Sequence, residues 1–255
     1  MKSQAVLFIS SLPLSGFKSS FATFIGAAYA VESQDTDEIS SKEEAYLNSK
    51  SIISFVSDVT AQNRQDVLDS TLLAQLAANH DYPGEDQILN WYKRYTDVLT
   101  NIGWEVQNKR DEKLNASQAS FDMENVILSV FSTALQGSWL EIIKNTLSSI
   151  KSLSRSDNKI SVFQNNTHTD YKGAFQVSIA LEENNSVSLH MAAFVVRSTK
   201  KITDILFFKF DKEATTVDCA AYDMILNADV YAGIRDAVKS RLGELAKQYI
   251  VKIDL

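Results

Sequence analysis

Between Gly173 and Leu226 apolar and polar side chains alternate again and again, a pattern that predicts consecutive β-strands. Phe175, Val177, Ile179 and Leu181 alternate with Gln176, Ser178, Ala180 and Glu182, the period of two that arises when one face of a strand meets a core. Glu183-Asn184-Asn185-Ser186 has the residues that tolerate the left-handed backbone of a hairpin turn. The chain then re-enters with Val187, Leu189, Met191, Ala193 and Val195 on one side. A third segment sets Ile205 and Phe207 against Leu206, Phe208 and Phe210, apolar on both sides, and so reads as a central strand covered on both faces. A fourth, Thr215 to Leu226, carries Val217, Cys219 and Ala221 on one face and Ala220, Tyr222 and Met224 on the other. Connections this short predict an antiparallel meander.

The first half shows helical spacing instead. Phe17, Phe21, Phe24, Ile25, Ala28 and Tyr29 recur every three or four residues, after an apolar Ala5 to Ile9 interrupted at Pro13; this predicts a hydrophobic N-terminal hairpin with one amphipathic helix. Ser41 and Glu44 make a capping-box signature ahead of Leu47, Ile52, Phe55, Val56 and Val59, predicting a helix from Lys42. Further helices are predicted from Arg64 to Ala78 and from Glu85 to a stop at Gly103, with Trp104 and Val106 as a short strand and Lys109 to Lys113 as a charged break. The periodic stretch Val126 to Ile150 is interrupted at Gly137, which either separates two helices or bends one. Ile160 and Val162 suggest an edge strand. Asn227 or Asp229 caps a last helix through Val230, Ile234, Val238, Leu242 and Leu245, before a final strand in Ile250 to Leu255.

The expected fold class is therefore α+β: an antiparallel β-meander over about residues 174–226 plus edge strands, covered by helices from the N-terminal half and a C-terminal helix. With two prolines and eight glycines in 255 residues there is little linker material, so one domain over 1–255 is expected. Residues 1–155 would be its mainly helical half and 156–255 its sheet and last helix.

Composition narrows the partners. A formal net charge of -7, without a concentrated basic surface, argues against nucleic acid. The apolar N-terminus holds no uninterrupted run of the length a bilayer requires. Ser10, Ser11, Pro13, Ser15 and Lys18 break its centre, so a cleaved signal peptide is not expected. Location is left open between the cytoplasm, a membrane surface and secretion without a cleaved leader. Sequons begin at Asn115, Asn165 and Asn184 and read as coincidental in a chain rich in Asn and Ser.

Candidate chemistry is sparse. One cysteine and three scattered histidines supply no zinc motif, and the glycines form no nucleotide-binding loop, so neither metal nor nucleotide is expected. His80 and His168 fall in loops rich in Asn, Asp and Thr, and His190 falls mid-strand on the side of Phe194. Cys219, within Thr216-Val217-Asp218-Cys219-Ala220-Ala221-Tyr222, has small neighbours that leave room beside its sulfur. It reads either as a small buried hydrophobe or as a reactive or modified thiol.

The order of features, an apolar N-terminus, Trp91-Tyr92-Lys93-Arg94-Tyr95, Ile102-Gly103-Trp104 and then a meander with the single Cys219, resembles the small bacterial virulence factors typified by the Erwinia virulence factor, Evf. That resemblance implies an α/β body carrying a palmitoyl group in thioester linkage to cysteine, with Cys219 the residue for lipid attachment and no catalytic residues. It also implies a fatty acyl chain as partner and a host membrane as a surface to be met. Two alternatives accompany it: a cysteine-dependent acyl hydrolase or transferase pairing Cys219 with His190, and a membrane-perturbing toxin acting through Met1 to Val31.

Overall fold

The computed structural model describes residues 3–16, 42–113, 119–135, 137–153 and 158–255. The amphipathic segment expected between Phe17 and Tyr29, and the Ser41 cap, lie outside the described residues. In order along the chain come α1 (Gln4–Ser11), β1 (Glu44–Asn48), β2 (Ser51–Phe55), α2 (Ala61–Asp81) and α3 (Ile88–Asn101). They are followed by β3 (Trp104–Lys113), β4 (Ser120–Phe121), α4 (Met123–Ala134), α5 (Ser138–Ser152) and α6 (Asn158–Thr167). Then come β5 (Lys172–Glu183), β6 (Ser186–Ser198), β7 (Phe210–Asp211) and β8 (Thr215–Asn227), and last α7 (Ala228–Ala232), α8 (Arg235–Leu242), α9 (Leu245–Tyr249) and β9 (Ile250–Ile253).

A seven-stranded sheet of order β3-β8-β6-β5-β2-β1-β9 forms the middle layer, antiparallel except where β2 runs parallel to β5. On one face α2, α3, α1 and α8 meet Leu189, Met191, Val195 and Met224. On the other α4, α5 and α6 meet Val177, Ile179, Phe194 and Cys219. The α+β class and the helical cover are as the patterning predicts, and so are the alternating faces of β5, β6 and β8. Asn184 and Asn185, both at positive φ, make the two-residue hairpin between β5 and β6.

Three expectations are corrected. The segment after Lys42 is not a helix but the hairpin of β1 and β2, turning at Ser49 with φ of 57°. All five residues of β2 are buried, and a strand covered on both faces has no alternation to distinguish it from a helix; its neighbouring Ile52 and Ile53 favour the strand. The third strand of the meander is absent: β6 pairs directly with β8. Residues 202–209 instead form a turn in which Asp204 Oδ1 accepts from the Leu206 and Phe207 amides, both at 2.9 Å. Ile202, Ile205, Leu206 and Phe210 fill the core from that turn. Ile160, expected on an edge strand, lies on α6, burying itself together with Phe163. The first half is also less purely helical than expected, because it supplies β1, β2 and a β3 of ten residues that takes in the charged Lys109 to Lys113. Charge suits that strand because it is an edge, where unpaired backbone groups are kept from further pairing by charged side chains.

Two helix boundaries rest on glycine. Gly103, at φ of 102°, closes α3, and Gly137, at φ of 66°, makes α4 and α5 two helices rather than one bent one. Asn227 caps α7 by accepting from the Val230 amide at 3.0 Å. The expected last helix divides into α7, α8 and α9. No described helix is long and apolar enough to cross a membrane.

The pivotal helix is α2, buried along nearly its whole length even at polar positions. Its Gln75 holds the β1–β2 turn: Oε1 accepts from the Lys50 amide at 3.0 Å and Nε2 donates to the Asn48 carbonyl at 3.0 Å. Asn48 Nδ2 in turn donates to the Leu68 carbonyl and to Thr71 Oγ1, each at 2.9 Å. Removing Gln75 strands two buried backbone groups, so Gln75→Leu should lower stability in urea unfolding by roughly 2–4 kcal/mol; an unchanged midpoint would show that the turn is held otherwise.

Asp69, also on α2, is pushed up from the ordinary 3.8 to about 6, chiefly by burial, with Gln65 and Lys239 opposing and Asp66 adding to the rise. An acid whose pKa is higher folded than unfolded stabilises the fold while protonated; that contribution is whole below 3.8 and lost as pH rises through about 6. Asp69→Asn keeps an acceptor for Gln65. It should exceed the parent in stability by roughly 3 kcal/mol at neutral pH and match it near pH 4, as measured by thermal unfolding across pH.

Candidate ligand-binding site

The clamp from Gln75 delivers Lys50 to the wall of a cavity of about 790 Å³, within the range of about 300–1,000 Å³ typical of small-molecule sites. The cavity opens where the C-terminal end of α2, the start of α3, the end of α6 and adjoining ends of β5 and β6 converge. Its apolar wall is made by Ile88, Trp91, Ala174, Val195 and Val196.

The polar wall is unusual in what it leaves unsatisfied. Asn79 is 9% exposed and Asn166 6%. Their Nδ2 atoms, and Nδ1 of His168, have no hydrogen-bond partner among the described residues. Buried polar groups are nearly always paired, so three such atoms around one cavity make it a candidate binding site. The orientation of Asn79 is set locally, because Trp91 Nε1 donates to its Oδ1 at 2.7 Å, leaving the amide Nδ2 to face elsewhere. Trp91 is fixed by stacking on Tyr95, ring centroids 5.5 Å apart.

Electrostatics point the same way. The Lys50 ammonium lies 5.4 Å from the centroid of the Trp91 ring. Burial pulls its pKa down to about 8 against the attraction of Glu85. Burial likewise lowers His168, with Asp204 opposing. Lys172, which contacts Asp86, and Arg197, 2.5 Å from Asp218, stand at the rim. Glu85 is the carboxylate among the lining residues, beside the cationic Lys50, Lys172 and Arg197.

The residues singled out from sequence are distributed differently. Cys219 sits mid-β8, opposite Phe194 of β6 and Glu112 of β3, buried and facing the layer of α4, α5 and α6. It does not line the cavity, but Val196, which does, is its diagonal neighbour across the ladder, about 7–8 Å away. His190 shares that face but is four ladder positions along, about 13 Å at strand rise. The structure therefore does not bring Cys219 and His190 together. His190 instead meets Asp223, Nδ1 to Oδ1 at 2.8 Å, beneath the ring of Trp139. His80 and His168, which sequence spacing left without partners, both reach the cavity wall. Lys50, Asn79, Trp91 and Asn166 were not legible as a site. The available signal was two amide-rich helix ends, Asn79-His80-Asp81 and Asn165-Asn166-Thr167-His168, whose convergence only the fold reveals.

No protein-family model matches the chain, and no curated protein matches it in sequence. Among solved structures it is similar to the activated Cyt2Ba monomer from Bacillus thuringiensis subsp. israelensis, at 7% identity over 53% of this chain and 79% of that one, with a TM-score of 0.35. It is also similar to a delta-endotoxin, at 9% identity over 55% and 71%, TM-score 0.31. A third likeness is to the Evf virulence factor, at 10% identity over 80% and 82%, TM-score 0.37. The resemblance to Evf drawn from the sequence thus recurs in the comparison of structures.

Lys50 should lose its proton on raising the pH through about 8, well before an ordinary lysine. Side-chain NMR titration of labelled lysines checks this. A Lys50 resonance that titrates with the exposed lysines would show the ammonium to be solvated.

Proposed function

We propose that this is a non-enzymatic binding protein of virulence-factor or toxin type, whose ligand occupies the cavity between α2, α3, α6 and the β5–β6 strand ends. The observation that carries the binding reading is the set of buried polar atoms without partners on the cavity wall: Asn79 Nδ2, Asn166 Nδ2 and His168 Nδ1. Each costs free energy when left unmade, about 1–3 kcal/mol, and a bound molecule removes that cost. The virulence character rests on the sequence resemblance alone. In the test, the full chain is purified without denaturation and its small molecules are released and identified by mass spectrometry. A stoichiometric compound that raises the melting temperature on return supports the reading. Protein that carries none, and whose melting temperature no member of a metabolite library raises, contradicts it.

A second reading, S-acylation of Cys219, is favoured by the position of this thiol. It faces an apolar layer one diagonal from Val196 of the cavity wall. Burying a tail of about fourteen methylenes at about 0.8 kcal/mol each gains on the order of 10 kcal/mol, and exposing it would give the protein a reversible affinity for membranes. Intact mass decides: an added acyl mass should be lost to hydroxylamine and be absent from Cys219→Ser. A bare chain mass from the native host rejects it.

A further inference from the structure

The two buried side-chain amides and the ammonium on the cavity wall are donors. Asn79 has spent its acceptor on Trp91 and presents Nδ2. Asn166 likewise has its Nδ2 buried without a partner among the described residues. Lys50, fixed through its backbone by Gln75 and Gln176, brings an ammonium with three protons. A neutral ligand would need acceptors alone to match this set. An anionic oxygen group satisfies several donors at once, through charge-assisted hydrogen bonds about twice as strong as neutral ones. The opposite wall of Ile88, Ala174, Val195 and Val196 suits a compact apolar body.

Resting on the reading that the cavity holds a ligand, we infer that the ligand is a small organic oxyanion, a carboxylate or phosphate ester. Its acidic group is held by the Lys50 ammonium and the side-chain amides of Asn79 and Asn166. Glu85, the carboxylate among the lining residues, disfavours a second acidic group on the ligand.

Calorimetric titration of the full chain at pH 7.0 with benzoate, inorganic phosphate and the neutral benzamide tests the assignment. At least one of the two anions is expected to bind one per chain and at least tenfold more tightly than benzamide, and whichever anion is preferred separates a carboxylate from a phosphate source. Asn79→Asp keeps the acceptor for Trp91 while adding negative charge, and should weaken that anion at least tenfold. Lys50→Gln provides the same comparison should the first variant not fold. Benzamide binding as well as or better than both anions overturns the oxyanion assignment and leaves the ligand-binding reading in place. Binding by none of the three overturns both.

Discussion

The structure depends on a helix that does something helices rarely do, which is to bury its polar side chains. Gln75 of α2 satisfies the amide of Lys50 and the carbonyl of Asn48, while Asn48 reaches back to the Leu68 carbonyl and Thr71. The tight turn of the β1–β2 hairpin is thereby clamped to the helix packed beneath it. Ser51 extends the clamp sideways by donating to Gln176 of β5 at 2.8 Å, across the sheet's one parallel junction. A buried network of this kind is costly if any member is lost and specific if all are kept.

The clamp has a functional consequence, because a lysine placed on a free turn would point to solvent. Tied to α2 through its backbone, Lys50 is carried instead over the ring of Trp91. The same helix contributes Asn79 one turn beyond Gln75, and Trp91 fixes the orientation of that amide. Cation, aromatic plane and amide donor are therefore positioned by one connected set of hydrogen bonds and ring contacts, the pre-organisation that a binding site would need. The opposing wall, from Asn166 and His168, comes from the end of α6 and the chain that follows it.

How much of this was legible in the sequence follows the physics of burial. Strands β5, β6 and β8 announce themselves because the residues on their two faces belong to differently composed layers, as in Phe175 and Val177 against Gln176 and Ser178. The run Ile88 to Asn101 is plain because its apolar stripe is one-sided. Where both faces are covered the signal disappears: β2 has helical-looking spacing through Ile52 and Phe55, and the apolar run Ile205 to Phe210 looks like a strand while serving as a plug. Which one occurs was decided by side chains such as Asp204, whose carboxylate captures two amides and closes a turn. The candidate site was invisible for another reason. Its members are scattered from Lys50 to His168, and neither asparagine nor lysine carries a spacing rule; Cys219 stood out only by being single.

The account's central claim is that the amides of Asn79 and Asn166 are partnered by a molecule that is not part of the chain. A crystal structure of protein purified from its native host without ligand exchange tests it most directly. The account predicts non-protein density within hydrogen-bond distance of both Nδ2 atoms, beside the Lys50 ammonium. Finding both amides bonded to protein groups, with the cavity closed, would contradict it.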